Sequence, residues 1–202
     1  MQQGQRWDAR TTQLRGDNEA GARQRLFVAV PLPTNLLRFV TAAQCLLPSI
    51  PGLRLMREDQ LHITLAFIGE VGESKAAAAK QVVETVPADM GGEGVIERFL
   101  LLPSPGRTRV VALELSDAKG VFGALFERVM SGLEQAGVMQ REKRPFRPHL
   151  TIARLRDAGP VQPRSECGQA SHAVESVCLF DSELKREGAV YTVRARTTLV
   201  SR

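Results

Sequence analysis

Two copies of one tetrapeptide pattern constrain this chain more than any other feature: His62-Ile63-Thr64-Leu65 within LHITLAFIGE, and His149-Leu150-Thr151-Ile152 within PHLTIARLRD. Each copy sits in an apolar, β-branched run that reads as a strand. In a strand the side chains of residues i and i+2 point to one side, so each copy aims an imidazole and a hydroxyl in the same direction. If the two strands face each other, two His and two Thr converge. Imidazole titrates near neutrality, so such a cluster can hold a phosphate between a proton donor and a proton acceptor without a metal.

Hydrophobic periodicity outlines the rest. It predicts strands at 25–30, 53–56 and 61–68, the last bearing the first motif, with a helix at 34–46 between the first two. A helix follows from Ser74, read as its cap, to Val86, where Pro87 stops it. Strands at 94–102 and 109–115 are divided by the turn-forming PSPGR, and a helix at 118–136 closes at Gly137. The second motif strand is expected at 149–155, with two final strands at 173–181 and 189–199. Each half of the chain thus offers strands, helices and one His-x-Thr strand. The expected class is α+β: two pseudo-symmetric lobes, each an antiparallel sheet with helices outside.

A chain of 202 residues with 43% hydrophobic residues is long enough to bury a sizeable core. The longest apolar stretch, residues 36–50, is interrupted by Arg38 and Gln44. It also falls short of the ~20 residues that span a bilayer, so no membrane segment is expected. The first 24 residues are rich in Gln, Arg and Gly and lack the apolar core of a secretory signal; they read as a disordered extension ahead of one domain at 25–202. Cys45, Cys167 and Cys178 are an odd set without C-x-x-C spacing, which points away from a zinc site or a disulfide framework and toward a reducing cytoplasm. The net charge is +5, but between Arg141 and Arg156 six Lys or Arg face only Glu142. This excess around the second motif favours an anionic ligand.

The doubled His-x-Thr pattern resembles the 2H phosphoesterase superfamily, and within it the RNA 2′,3′-cyclic phosphodiesterase branch, also called 2′-5′ RNA ligase or LigT-like. RLFVAVPLP at Arg25–Pro33 looks like that family's opening strand and turn, RPHLTIAR at Arg147–Arg154 like its second motif, and SELKREGAVYTV at Ser182–Val193 like its closing hairpin. The resemblance implies a bilobal fold with one motif on each wall of a cleft. It further implies metal-independent hydrolysis of RNA 2′,3′-cyclic phosphate ends to 2′-phosphates, with His149 as general base and His62 as general acid toward the departing O3′. Thr64 and Thr151 would donate to the nonbridging oxygens. No cofactor is expected; the expected partner is RNA with 2′,3′-cyclic phosphate ends, such as tRNA fragments, with no membrane partner, and the protein is expected to be a monomer.

The resemblance also carries two substrate contacts. Arg154 matches an arginine used near phosphate and base, a task suited to guanidinium, although strict alternation puts it on the face opposite His149, so the strand must twist, bulge or end. Phe27 matches an aromatic that stacks on a base. Tyr191, Arg144 and Arg147 are candidates for the cleft edge. His172 has no Thr partner and is expected at the surface or in a loop, and Gly69 and Gly72 read as turn residues. With three His, no H-E-x-x-H and no acidic triad, the chain gives no sign of a metal mechanism. Two rival activities remain: ATP-independent 2′-5′ joining of tRNA halves, the same chemistry reversed, and RNA-end binding without catalysis.

Overall fold

The elements outlined by periodicity follow one another as β1 (Gln24–Pro31), α1 (Leu37–Cys45), β2 (Leu53–Leu55), β3 (His62–Val71), α2 (Glu73–Glu84), β4 (Gly92–Leu102), β5 (Thr108–Ser116), α3 (Val121–Gln135), β6 (His149–Gly159), β7 (Ala170–Val174), β8 (Ser176–Lys185) and β9 (Gly188–Thr198). The structure is a computed structural model that describes residues 23–141, 144–186 and 188–201. Of the expected N-terminal extension, residues 1–22 lie outside the described residues, and Gln24 already pairs with Val71. The strand expected at 173–181 is two strands: β7 pairs with β4, whereas β8 pairs with β1 and β9. The chain crosses the sheet there, and an apolar run carries no mark of such a crossing. Gly72, not Ser74, is the N-cap of α2, and Ser74 falls inside the first turn.

Among the described residues the strands form one antiparallel sheet in the order β7-β4-β5-β6-β3-β1-β8-β9, with β2 paired to β6. The α+β class holds, and the two expected sheets are the halves of this single curled sheet. They meet at the pair Ile63↔Leu150 between β3 and β6. The halves are spatial rather than sequential: β8 and β9 return from the end of the chain to flank β1, so the half containing β3 draws on both termini.

Alternation sorts the sheet into two faces. Leu26, Val28 and Val30 of β1, Ile63 of β3, and Leu150 and Ile152 of β6 all point into one core. Helices cover that face. Val40 and Ala43 of α1, Ala79 and Val83 of α2, and Phe122, Leu125, Val129 and Leu133 of α3 recur at helical spacing and are buried. The start of α3 is fixed by Asp117, whose carboxylate accepts from the backbone N–H groups of Phe122 (2.9 Å) and Gly123 (2.7 Å). A negative group also suits the positive end of the helix dipole. No helix among the described residues is long and apolar enough to cross a membrane. The opposite face of the sheet carries both motifs.

Candidate active site

Ile63 and Leu150 are registered partners in an antiparallel pair, so the residues flanking them lie opposite each other, His62 against Thr151 and Thr64 against His149. The two motifs are thereby related by a local two-fold axis between the strands. Both His and both Thr are half-buried, while Ile63 and Leu150 between them are fully buried. The four polar side chains share the concave face because the sheet's other face is filled by core.

A bulge then occurs at the same place in both motifs. Ala29 pairs with Thr64 and Val28 with Ala66, which leaves Leu65 as the extra residue of β3; Ala112 pairs with Thr151 and Val111 with Ala153, which leaves Ile152 as the extra residue of β6. Each bulge shifts the alternation by one. Leu65-Ala66 and Ile152-Ala153 are consecutive buried pairs, and the sixth residues, Phe67 and Arg154, emerge on the concave face. The bulge is what Arg154 requires to reach the cleft. Two adjacent apolar residues after each Thr were the signal, since strict alternation would have made one of them polar. Gly69, read as a turn residue, lies within β3 at a second register shift and adopts φ +81°, a conformation that favours glycine.

Both imidazoles are held alike. Nδ1 of His62 lies 2.8 Å from the carbonyl oxygen of Gln60, and Nδ1 of His149 lies 2.8 Å from that of Arg147. A carbonyl only accepts, so each Nδ1 carries hydrogen and each Nε2 is left for chemistry. The anchoring residues are themselves fixed. Gln60 donates from Nε2 to the Ala189 carbonyl (2.8 Å) and accepts at Oε1 from the Arg57 N–H (3.2 Å). Arg147 donates to Glu114 (2.5 Å), which also accepts from Arg98 (2.6 Å). Nothing in the sequence near either motif marks Gln60 or Glu114, because their partners are 129 and 33 residues away.

Around His62 the site is aromatic and cationic. The Phe27 ring packs on His62 (centroids 4.7 Å apart) and stacks on Phe180 (5.1 Å, 15° between planes), and Tyr191 meets His62 edge-on at 5.4 Å. Phe27 is 3% exposed, so its ring backs the imidazole and offers no open face to a base, unlike the expectation. Tyr191, expected at the cleft edge, is half-buried beside the His62 ring. Burial lowers the pKa of His62 to about 4 against the support of the Gln60 carbonyl, and the positive charge of Arg154 and the neighbouring His149 ring push it the same way. His62 is therefore neutral in the free protein at pH 7.

His172 is not at the surface. It is 0% exposed in β7, with Nδ1 2.6 Å from the Ala173 carbonyl and its ring edge-on to Phe122 at 5.9 Å. It pairs with Gly94 on β4, where a Cβ would come within 2.3 Å of Phe122. The missing side chain of Gly94 makes the room that lets His172 and Phe122 meet.

Comparison with known proteins agrees with this fold. Residues 32–184 match the 2′-5′ RNA ligase superfamily. The chain is 32% identical over 175 residues to the RNA 2′,3′-cyclic phosphodiesterase of Archaeoglobus fulgidus, covering 83% of this chain and 96% of that protein. It is also 32% identical over 187 residues to that of Thermus thermophilus, covering 87% and 90%. The crystal structure of Escherichia coli LigT complexed with 3′-AMP superposes with a TM-score of 0.72 at 27% identity, over 89% of this chain and 99% of LigT. With paired His-x-Thr strands meeting at the centre of one sheet, and with these relatives spanning nearly its whole described length, the chain belongs to the 2′-5′ RNA ligase superfamily of LigT-like 2H phosphoesterases.

Proposed function

We propose that this protein opens RNA 2′,3′-cyclic phosphate ends to 2′-phosphates by a two-histidine mechanism that needs no metal. The observation that carries the reading is the two-fold arrangement of His62, Thr151, Thr64 and His149 about one point of the β3–β6 pair. In-line displacement at phosphorus needs a proton acceptor on one side and a proton donor on the other. His149 takes the proton of the attacking water through Nε2, and His62 protonates O3′ as the P–O3′ bond breaks. Thr64 and Thr151 donate to the nonbridging oxygens, where charge gathers in the transition state.

Protonation of His62 is coupled to substrate. The phosphodiester's negative charge between the rings favours the imidazolium and opposes the burial and the Arg154 charge that keep the ring neutral in the free protein. Arg154 and Tyr191 flank the departing ribose and its base. The relatives' activity on cyclic phosphates and the 3′-AMP complex of LigT support this choice of substrate class.

The test is incubation with a cyclic-phosphate oligonucleotide in EDTA, with 2′- and 3′-phosphate products resolved. Full activity with a 2′-phosphate product is expected. Loss of turnover in chelator, or a 3′-phosphate product, contradicts the mechanism. His62→Ala and His149→Ala should each lower kcat by about 10²- to 10⁴-fold, the usual contribution of one positioned proton transfer.

A further inference from the structure

One polar residue interrupts the apolar stripe of α1 and takes no part in the quartet. Gln44 lies one turn after Val40 and next to Ala43, both buried, so it sits at the border of the helix face that covers the core. Packing alone would be served there by an apolar side chain of the same length. Its amide instead reaches two backbone carbonyls in different segments: Nε2 donates to the Met56 carbonyl (2.8 Å) and to the Ile152 carbonyl (3.0 Å).

Ile152 is the extra residue of the β6 bulge. A bulge leaves its extra residue out of register with the partner strand. The Ile152 carbonyl is satisfied from elsewhere, by the backbone N–H of Met56 (2.8 Å) and by Gln44. Met56 directly follows β2, the strand that pairs with β6 at Ala153, Arg154 and Leu155. Gln44 thus ties α1 both to the bulge and to the strand end beside it, with one amide hydrogen for each carbonyl.

The bulge decides where Arg154 points. In a regular strand Arg154 would lie on the face opposite His149; the extra residue turns it to the face of both imidazoles. A loosened bulge lets the guanidinium move away from His62. We propose that Gln44 is a positioning residue for Arg154: from the core side of the sheet it fixes the β6 bulge, and thereby the place of the guanidinium beside the histidines. The inference rests on the proposed function for the part Arg154 plays in turnover, and on geometry alone for its placement.

Gln44→Met keeps the length of the side chain and removes both donors. With a cyclic-phosphate oligonucleotide, kcat/KM should fall about 10- to 100-fold, since a misplacement of ~1 Å by a change remote from the chemistry costs up to that much. In an Arg154→Gln background the same change should have little further effect, because the two residues act as one unit. The His62 ring, followed by NMR in the free protein, supplies a readout that a merely structural role leaves in place. Its midpoint, expected near pH 4, should rise in Gln44→Met as in Arg154→Gln, and the two rises should not add. Gln44→Asn, too short to reach both carbonyls, should shift each readout the same way by less, and serves if the methionine variant does not fold. Unchanged kcat/KM, a His62 midpoint left at its wild-type value, or effects that add to those of Arg154→Gln overturn the proposal. If the midpoint moves as expected while the wild-type protein opens no cyclic phosphate, the placement of Arg154 by Gln44 stands and the proposed function fails.

Discussion

Glu114 lies directly opposite His149 across the β5–β6 pair, and its carboxylate is occupied by two guanidiniums, those of Arg98 and Arg147. Because the Arg147 carbonyl anchors Nδ1 of His149, Glu114 orients the imidazole through Arg147. The hydrogen bond from Arg147, backed by that from Arg98 and by both positive charges, holds the Glu114 carboxyl below its ordinary value despite burial.

Glu114→Gln should keep the shape and lose the charge. A kcat lowered about three- to tenfold is expected, with a loss of up to ~1.5–3 kcal/mol in stability, the range for hydrogen bonds to a charged group, here on a side chain only 12% exposed. Urea unfolding and steady-state kinetics read the two effects. A depressed carboxylate stabilises above its unfolded pKa and loses that contribution as pH falls through the folded value, so the difference between wild type and variant should vanish in acid below that value.

In the free protein, His62 should titrate near pH 4 by NMR of its ring carbons. Inorganic phosphate should move the midpoint upward, because an anion beside the ring stabilises its charged form. Arg154→Gln should also raise it in the absence of phosphate, by removing a positive charge that lowers it. A midpoint unaffected by both changes would separate these residues from one site.

Gln60→Ala should lower kcat about tenfold with little change in KM. Its side chain touches no substrate in the proposed arrangement; it ties the backbone carbonyl that holds His62 to Ala189 and Arg57. Gln60→Glu, which retains the acceptor for Arg57, should recover part of the rate. A purely structural role would lower the melting temperature without this recovery of rate.

His172 carries a pKa lowered mainly by burial, with the Ala173 carbonyl acting against it. Among the described residues its Nε2 has no hydrogen-bond partner. Between its folded value and the ordinary 6.5, the unfolded chain binds the proton and the folded one does not. Stability therefore falls as pH drops through this window, by up to about 1.4 kcal/mol per pH unit for one proton. Urea midpoints at pH 7.5 and 5 should differ less in His172→Asn than in wild type. A larger difference in the variant would contradict the assignment.

The chemistry available and most of the elements were legible in the order of residues alone. Strand patterns at His62-Ile63-Thr64 and His149-Leu150-Thr151 put imidazole and hydroxyl on one side because strand side chains alternate, and helical spacing of apolar residues located α1, α2 and α3. Such periods are local properties of the chain. It took the folded arrangement to show that β8 and β9 return to β1, that Leu65 and Ile152 bulge so that Phe67 and Arg154 emerge beside the motifs, that Phe27 and His172 are buried, and that Gln60 and, through Arg147, Glu114 fix the two imidazoles. These features depend on register and on partners tens of residues away, and a short-range pattern holds no record of which distant strand a backbone will meet.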